Sequence, residues 1–323
     1  MSAQFRKLAL IGIGLIGASI ALAARRQGLV DVISIATRRQ ETLDEARELG
    51  LGDIYTLDAA EAVRGADLVI LCAPVGAYEH LARTIAPALE PGAILSDVGS
   101  VKAHVVKVVG PHVPPGVSFI PGHPIAGTEH SGPAAGFAEL FAGRWCVLTP
   151  GSDISQADTD RLVAFWQAMG SMVECMDANH HDMVLAITSH IPHLVAYNIV
   201  GTVADLEADT KSEVIKFSAS GFRDFTRIAA SDPVMWRDVF LTNRDAVLEM
   251  LGRFLEDLSV LQRAVRTGDG PTLESLFART REIRRSVIDA GQETAAPDFG
   301  RPHDVPPVPD IPLVREHGGG DDA

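Results

Sequence analysis

Short apolar runs alternate with amphipathic stretches over the first half of the chain. Near-continuous apolar runs at 7–11, 31–36, 67–72, 93–96, 117–120 and 145–148 predict strands buried on both faces. Helical periods fill 15–26, 39–49, 77–85 and 101–109 between them. Strand and helix in turn predict an α/β Rossmann-type doubly wound parallel sheet, with helices on both faces. A helix at 156–169 and a strand at 172–175 are expected to complete it.

From Asn179 the pattern is helical only. Residues 177–206 predict one long apolar helix, kinked at Pro192 because proline lacks an N–H and crowds the preceding turn. Another helix is expected over 211–230. Asp232-Pro233 is a helix start, the carboxylate at N-cap and proline at N1. Trp236, Phe240, Val247, Leu251, Leu255, Leu258 and Leu261 then recur on one face over about eight turns. Residues 271–288 form the last helix. Stripes of this length are commonly buried against a second copy, so a homodimer is expected. From Ala295 prolines, glycines and acids dominate without apolar period, which predicts a disordered tail. The expected division is 1–176, a dinucleotide-binding domain; 177–292, an all-helical substrate and dimerisation domain; and 293–323, the tail.

The chain has 323 residues, 46% hydrophobic and 22% charged, enough for two domains with their own cores. Its net charge of −14 argues against nucleic-acid or anionic-membrane partners, so an anionic substrate must be met by local cations. Cys72, Cys146 and Cys175 are odd in number and far apart, which suits free thiols in a reducing, cytoplasmic setting. Residues 8–24 follow Arg6 and Lys7 without a charge and could be misread as a signal peptide or short membrane span. The internal glycines favour a strand turning into a helix.

Those glycines are Gly12-Ile13-Gly14-Leu15-Ile16-Gly17, after a strand and opening a helix, where a dinucleotide pyrophosphate sits. Gly12 suits the tight turn, Gly14 close approach of the phosphates, and Gly17 helix–sheet packing. At the end of the second strand stand Thr37, Arg38 and Arg39 in place of an acid. The arginines could receive a 2′-phosphate, or form a solvated helix start while NAD binds without the acid. NAD and NADP therefore both stay open. Cys72 and Pro74 end one strand and Asp97 the next, at carboxyl ends where open α/β sheets hold ligands. Ser100 could touch substrate or nicotinamide, although helix N-cap is the commoner role.

The segment Pro121-Gly122-His123-Pro124-Ile125-Ala126-Gly127-Thr128-Glu129 excludes a regular helix or central strand. His123 can be held there as a general acid/base or be an ordinary loop histidine. His190 and His193 flank Pro192; without a zincin glutamate they suit a cleft wall better than a metal. Arg223 and Arg227 are a candidate carboxylate clamp, or partners of Asp224 and a neighbouring helix.

Together these segments, with Ser189-His190-Ile191-Pro192-His193 and Gly221 to Trp236, resemble the prephenate/arogenate dehydrogenase family of tyrosine biosynthesis over about residues 6–285. The resemblance implies oxidative decarboxylation of prephenate or arogenate with hydride transfer to NAD or NADP. It implies His123 as acceptor of the ring-hydroxyl proton and Ser100 as its aid. Arg227 would clamp a carboxylate, with His190 and Trp236 lining the pocket, Glu129 at a pocket-gating or inhibitor-linked position and Asp182 in support. Arg223, where the family often has lysine, and Ser220, where it often has glycine, depart from the pattern. Two other function classes are open to such a chain. One is a 3-hydroxyacid or imine-type dehydrogenase, which would lack the His123 segment and, for the hydroxyacid type, would want a lysine that 177–206 does not have. The other is a non-catalytic nucleotide-bound sensor, which would not need Ser100, His123 and Arg227 to converge.

Overall fold

The computed structural model describes residues 4–128, 130–205 and 220–289. Six parallel strands run in the order β3-β2-β1-β4-β5-β6. They are β1 (Phe5–Ile11), β2 (Val30–Ala36), β3 (Ile54–Thr56), β4 (Leu68–Leu71), β5 (Ile94–Asp97) and β6 (Ser118–Ile120). β1, β4 and β5 lie at the centre, and Leu8, Leu10, Leu68, Ile70 and Ile94 have no solvent exposure. Their branched side chains pack under helices on each face, which is why these strands read as unbroken apolar runs. Those helices are α1 (Leu15–Arg26), α2 (Gln40–Glu48), α3 (Ala59–Val63), α4 (Tyr78–Ile85), α5 (Ala103–Val109) and α6 (Gln156–Ala168). The run 8–24 that resembles a targeting segment forms most of β1 and α1.

The sequence pattern places 145–148 and 172–175 in the same sheet. The structure puts them in a second one, of three strands, ordered β7-β8-β9. β7 (Gly122–Pro124) pairs antiparallel with β8 (Trp145–Leu148), and β8 parallel with β9 (Met172–Cys175). β7 is an edge strand, the position where Pro124 costs no ladder hydrogen bond. A buried ion pair joins the two sheets. Lys102 Nζ donates to Asp97 Oδ2 at 2.5 Å and to the Gly122 carbonyl at 2.6 Å. The Gly122 N–H donates to Asp97 Oδ1 at 3.1 Å and the Gly99 N–H to Asp97 Oδ2 at 2.7 Å. Both side chains are fully buried. Burial pushes against both charges, while their attraction and the two N–H groups hold them.

The helical half begins with α7 (Ala178–Leu185), whose N-cap Asp177 accepts from Asn179 and His180 N–H groups. One π-helical turn, Ala186–His190, carries the chain into α8 (Ile191–Ala204). The Ile191 N–H reaches back to Ala186, and Pro192 after it has no N–H to give, so the expected kink is a widened turn. Ala178–Val203 is long and apolar enough to cross a membrane by length and composition, yet its His181, Asp182 and His190 are buried against other elements of the fold. Then come α9 (Ser220–Thr226), α10 (Pro233–Thr242), α11 (Arg244–Thr267) and α12 (Gly270–Asp289). Residues 211–219 of the expected 211–230 helix, and the tail 293–323, lie outside the described residues.

Asp232 caps α10 through the Met235 N–H at 2.7 Å, with Pro233 at N1. Trp236 and Val239 enter the core formed with Val75, Tyr78, Val101 and Val105, which welds α10 to the nucleotide-binding half. The apolar stripe breaks at Asn243, where α10 gives way to α11. Its first part, Trp236 and Val247, is buried, whereas Leu255 and Leu258 stay exposed on the single chain.

Removing one partner of a buried pair strands the other charge, at a cost of about 3–5 kcal/mol. Lys102→Met is expected to lose that much stability, measured by the urea midpoint. The double variant Asp97→Leu/Lys102→Met should recover part of it, and a null effect of Lys102→Met would remove the pair from the list of structural determinants.

Candidate functional site

The glycine loop fits a dinucleotide on its own geometry. Gly12 takes φ +105°, and a Cβ there would lie 2.7 Å from the Cys72 backbone. Its N–H donates to the Ala36 carbonyl at 2.8 Å, tying the ends of β1 and β2. A Cβ on Gly17 would lie 2.6 Å from the Gly12 carbonyl, so α1 packs directly on the turn. Gly14 is the N-cap of α1, and a Cβ there would meet nothing within 4 Å. No side chain caps α1 and its first turn has no acid, which leaves the N–H groups of Leu15, Ile16 and Gly17 available to phosphate oxygens. Thr37 is half-buried and Arg38 and Arg39 exposed beyond β2, while Cys72 is half-buried and Pro74 exposed beyond β4. Asp97 lies deeper, its carboxylate wholly occupied by Lys102 and two backbone groups.

His123 projects from β7 and is 8% exposed. Its Nδ1 lies 2.9 Å from His181 Nε2, and His181 Nδ1 lies 2.8 Å from Asp182 Oδ1. Asp182 also accepts from the N–H groups of Lys102 at 2.7 Å and Ala103 at 2.9 Å. It thereby caps α5 from another domain, where a carboxylate also suits the helix dipole. Ser100, the residue expected at that N-cap, lies half-buried in the loop before it, and Lys102 occupies the cap position without a side-chain bond. Burial, then the neighbouring His181, Lys102 and His190, push the His123 pKa well below the ordinary value. His181 is lowered chiefly by burial, which outweighs the Asp182 hydrogen bond.

A second cluster faces it from the π-helical turn. Asn243 Nδ2 donates to the Asp182 carbonyl at 2.9 Å and lies 3.1 Å from His190 Nδ1. A carbonyl can only accept, so this atom is the amide nitrogen, His190 Nδ1 accepts from it, and neutral His190 carries its proton on Nε2. His190 Nε2 and Trp236 Nε1 are both buried without a partner among the described residues. His193 stacks on Trp236 with centroids 3.6 Å apart, and the positive charge of Arg227 helps depress its pKa, after burial. Arg223 on α9 and Arg227 in the 3-10 turn after it are exposed. Glu129 lies outside the described residues. Among the described residues no three His, Cys, Asp or Glu side chains form a metal-binding group.

The structure thus gathers His123, His190, Trp236, Asp97 and Asp182 around one junction. His181 and Asn243 had no role in the sequence reading. The only signal for His181 was its place in the His180-His181-Asp182 run, and Asn243 gave none beyond interrupting an apolar period.

The model of the prephenate dehydrogenase nucleotide-binding domain matches residues 20–175, and that of the prephenate dehydrogenase dimerization domain matches 177–279. The chain belongs to the prephenate dehydrogenase family. A cyclohexadienyl dehydrogenase of Zymomonas mobilis is 41% identical over 88% of this chain and 96% of its own length. A prephenate dehydrogenase of Bacillus subtilis is 32% identical, covering 94% and 81%. The crystal structure of Aquifex aeolicus prephenate dehydrogenase, in complex with hydroxyphenyl propionate and NAD+, superposes with a TM-score of 0.80 at 32% identity, covering 88% of this chain and 98% of that one. The two matched ranges meet next to Asp177, the N-cap of α7, in this prephenate dehydrogenase family member.

Buried neutral histidines make stability depend on pH. Burial lowers His190 from its ordinary value of 6.5 to about 4. Above the ordinary value neither state binds a proton; below it the unfolded chain takes protons that the folded site refuses. Stability should therefore fall as pH drops from 6.5 toward 4. His190→Gln should flatten that fall in denaturation midpoints measured across the window.

Proposed function

We propose that the chain catalyses oxidative decarboxylation of prephenate, arogenate or both, yielding 4-hydroxyphenylpyruvate or tyrosine. The observation that carries this reading is His123, a desolvated imidazole at the carboxyl end of the sheet, gripped at Nδ1 and joined through Asp97 and Lys102 to the nucleotide-binding half. The names of the relatives support it, as does the aromatic acid bound by the Aquifex enzyme.

Gly12 to Gly17 would hold the pyrophosphate of the dinucleotide, whose nicotinamide would supply the hydride acceptor. His123 takes the proton of the ring hydroxyl as hydride leaves the same carbon, so its proton affinity must be modest and burial keeps it so. Ser100 orients that hydroxyl. The carbonyl formed draws in the electron pair of the ring carboxylate bond, CO₂ departs and the ring becomes aromatic. What remains for the protein is alignment.

Arg227 holds a substrate carboxylate, with Arg223 beside it, and His190 Nε2–H and Trp236 Nε1–H turn donors toward the substrate. Their lack of partners supports this, since a buried orphan donor costs about 1–3 kcal/mol unless something pairs with it. Arg38 and Arg39 receive a 2′-phosphate when NADP is used, and NAD binds without it. The protein works in the cytoplasm as a homodimer, the exposed Leu255 and Leu258 of α11 supplying apolar contact.

Assaying prephenate and arogenate with each cofactor tests the reaction, and absence of nicotinamide reduction in all four combinations refutes it. His123→Asn should lower kcat by about 100- to 10,000-fold with substrate still bound. Arg227→Ala should raise KM by at least about tenfold, as loss of a charge-assisted pair predicts; an unchanged KM overturns the clamp.

A further inference from the structure

We propose that His181 is a positioning residue: the His123–His181–Asp182 chain fixes which nitrogen of His123 is free to take the substrate proton. The inference rests on the reading of His123 as proton acceptor and extends it to a residue that does not touch substrate.

The assignment follows from counting protons along the chain. The Asp182 carboxylate has only lone pairs to offer and already accepts from the Lys102 and Ala103 N–H groups. His181 Nδ1, 2.8 Å from it, must therefore donate. His181 is fully buried, and burial favours its neutral form. A neutral ring with its proton on Nδ1 has a bare Nε2, which can only accept. Among the described residues the partner of that nitrogen is His123 Nδ1, at 2.9 Å, so His123 must donate from Nδ1. Neutral His123 then has its lone pair on Nε2.

Without His181, His123 would be free to hold its proton on either nitrogen. The form with the proton on Nε2 cannot accept another there. The groups that face His123 are His181 of α7, Lys102 before α5 and His190 of the π-helical turn; with both neighbouring rings neutral, burial and the Lys102 charge oppose a second proton on it. When Nε2 does take the hydroxyl proton, the Nδ1–H bond to His181 becomes charge-assisted, with Asp182 one ring behind. Asp182 is itself pinned by α5, so the chain ends on a rigid anchor.

Nitrogen-15 NMR of the histidine-labelled protein tests this directly, because protonated and bare ring nitrogens resonate far apart. Wild type should show His123 protonated at Nδ1 and bare at Nε2. His181→Gln should keep that pattern, its amide oxygen accepting from His123 while its NH₂ faces Asp182. His181→Leu should lose it. In turnover, His181→Leu should lower kcat by about 100-fold or more, the scale of a wrong tautomer. Its substrate KM should stay within about threefold, and His181→Gln should recover at least about tenfold of the lost kcat. A proton on Nε2 in wild type overturns the proposal even if no variant folds. Equal losses in the glutamine and leucine variants also overturn it, since they would mark a packing role. If the leucine variant loses the tautomer but keeps full kcat, the lock stands and His123 as proton acceptor fails instead.

Discussion

Asp182 is the residue on which the domain junction depends. Its carboxylate caps α5 and anchors His181, while its carbonyl takes the amide of Asn243. One residue of α7 thus addresses the nucleotide-binding half, the imidazole beside His123, and the break between α10 and α11. A charge at this depth is tolerable because three donors from two directions reach the carboxylate: two N–H groups of the α5 start and His181 Nδ1. Cutting any one of them leaves the others misdirected, so the contacts are coupled and their energies would not add.

The second constraint is electrostatic. With a net charge of −14, the protein as a whole repels an anionic substrate. The interior answers locally. Lys102 is spent on Asp97 and the Gly122 carbonyl, so it holds β7 in place and leaves little charge to attract a ligand. What it does supply is a positive field that, with burial, keeps His123 neutral. The same logic governs the wall opposite, where His190 and Trp236 present neutral N–H groups and the positive charge stays with Arg227.

Much of this was legible in sequence because it is local. The glycine loop, the strand end at Ala36, and the Asp232-Pro233 start all depend on residues a few positions apart. Their turn and cap chemistry can be read from the string. Pro192 was legible as a disturbance, though not as a π-helical turn that buries His190. β7 was not legible as a strand, since three residues containing glycine and proline have no β signature and form a ladder only because β8 passes alongside. His181 and Asn243 were out of reach for a stronger reason. Their bonds span 58 residues to His123 and 61 to Asp182, and no period or motif records such a pairing. The tail and Glu129 lie beyond the described residues.

Asp182 also explains how two neighbouring histidines can hold opposite tautomers. Through its side chain it makes His181 an acceptor and His123 a ring with a bare Nε2. Through its main chain it orients Asn243, which makes His190 a ring with Nε2–H. One imidazole presents a bare nitrogen and the other an N–H, and neither needs to be charged. Burial alone could not achieve this, because desolvation neutralises both rings without choosing a tautomer. The choice comes from fixed partners on the far nitrogen of each ring, and both partners trace back to a single residue of α7.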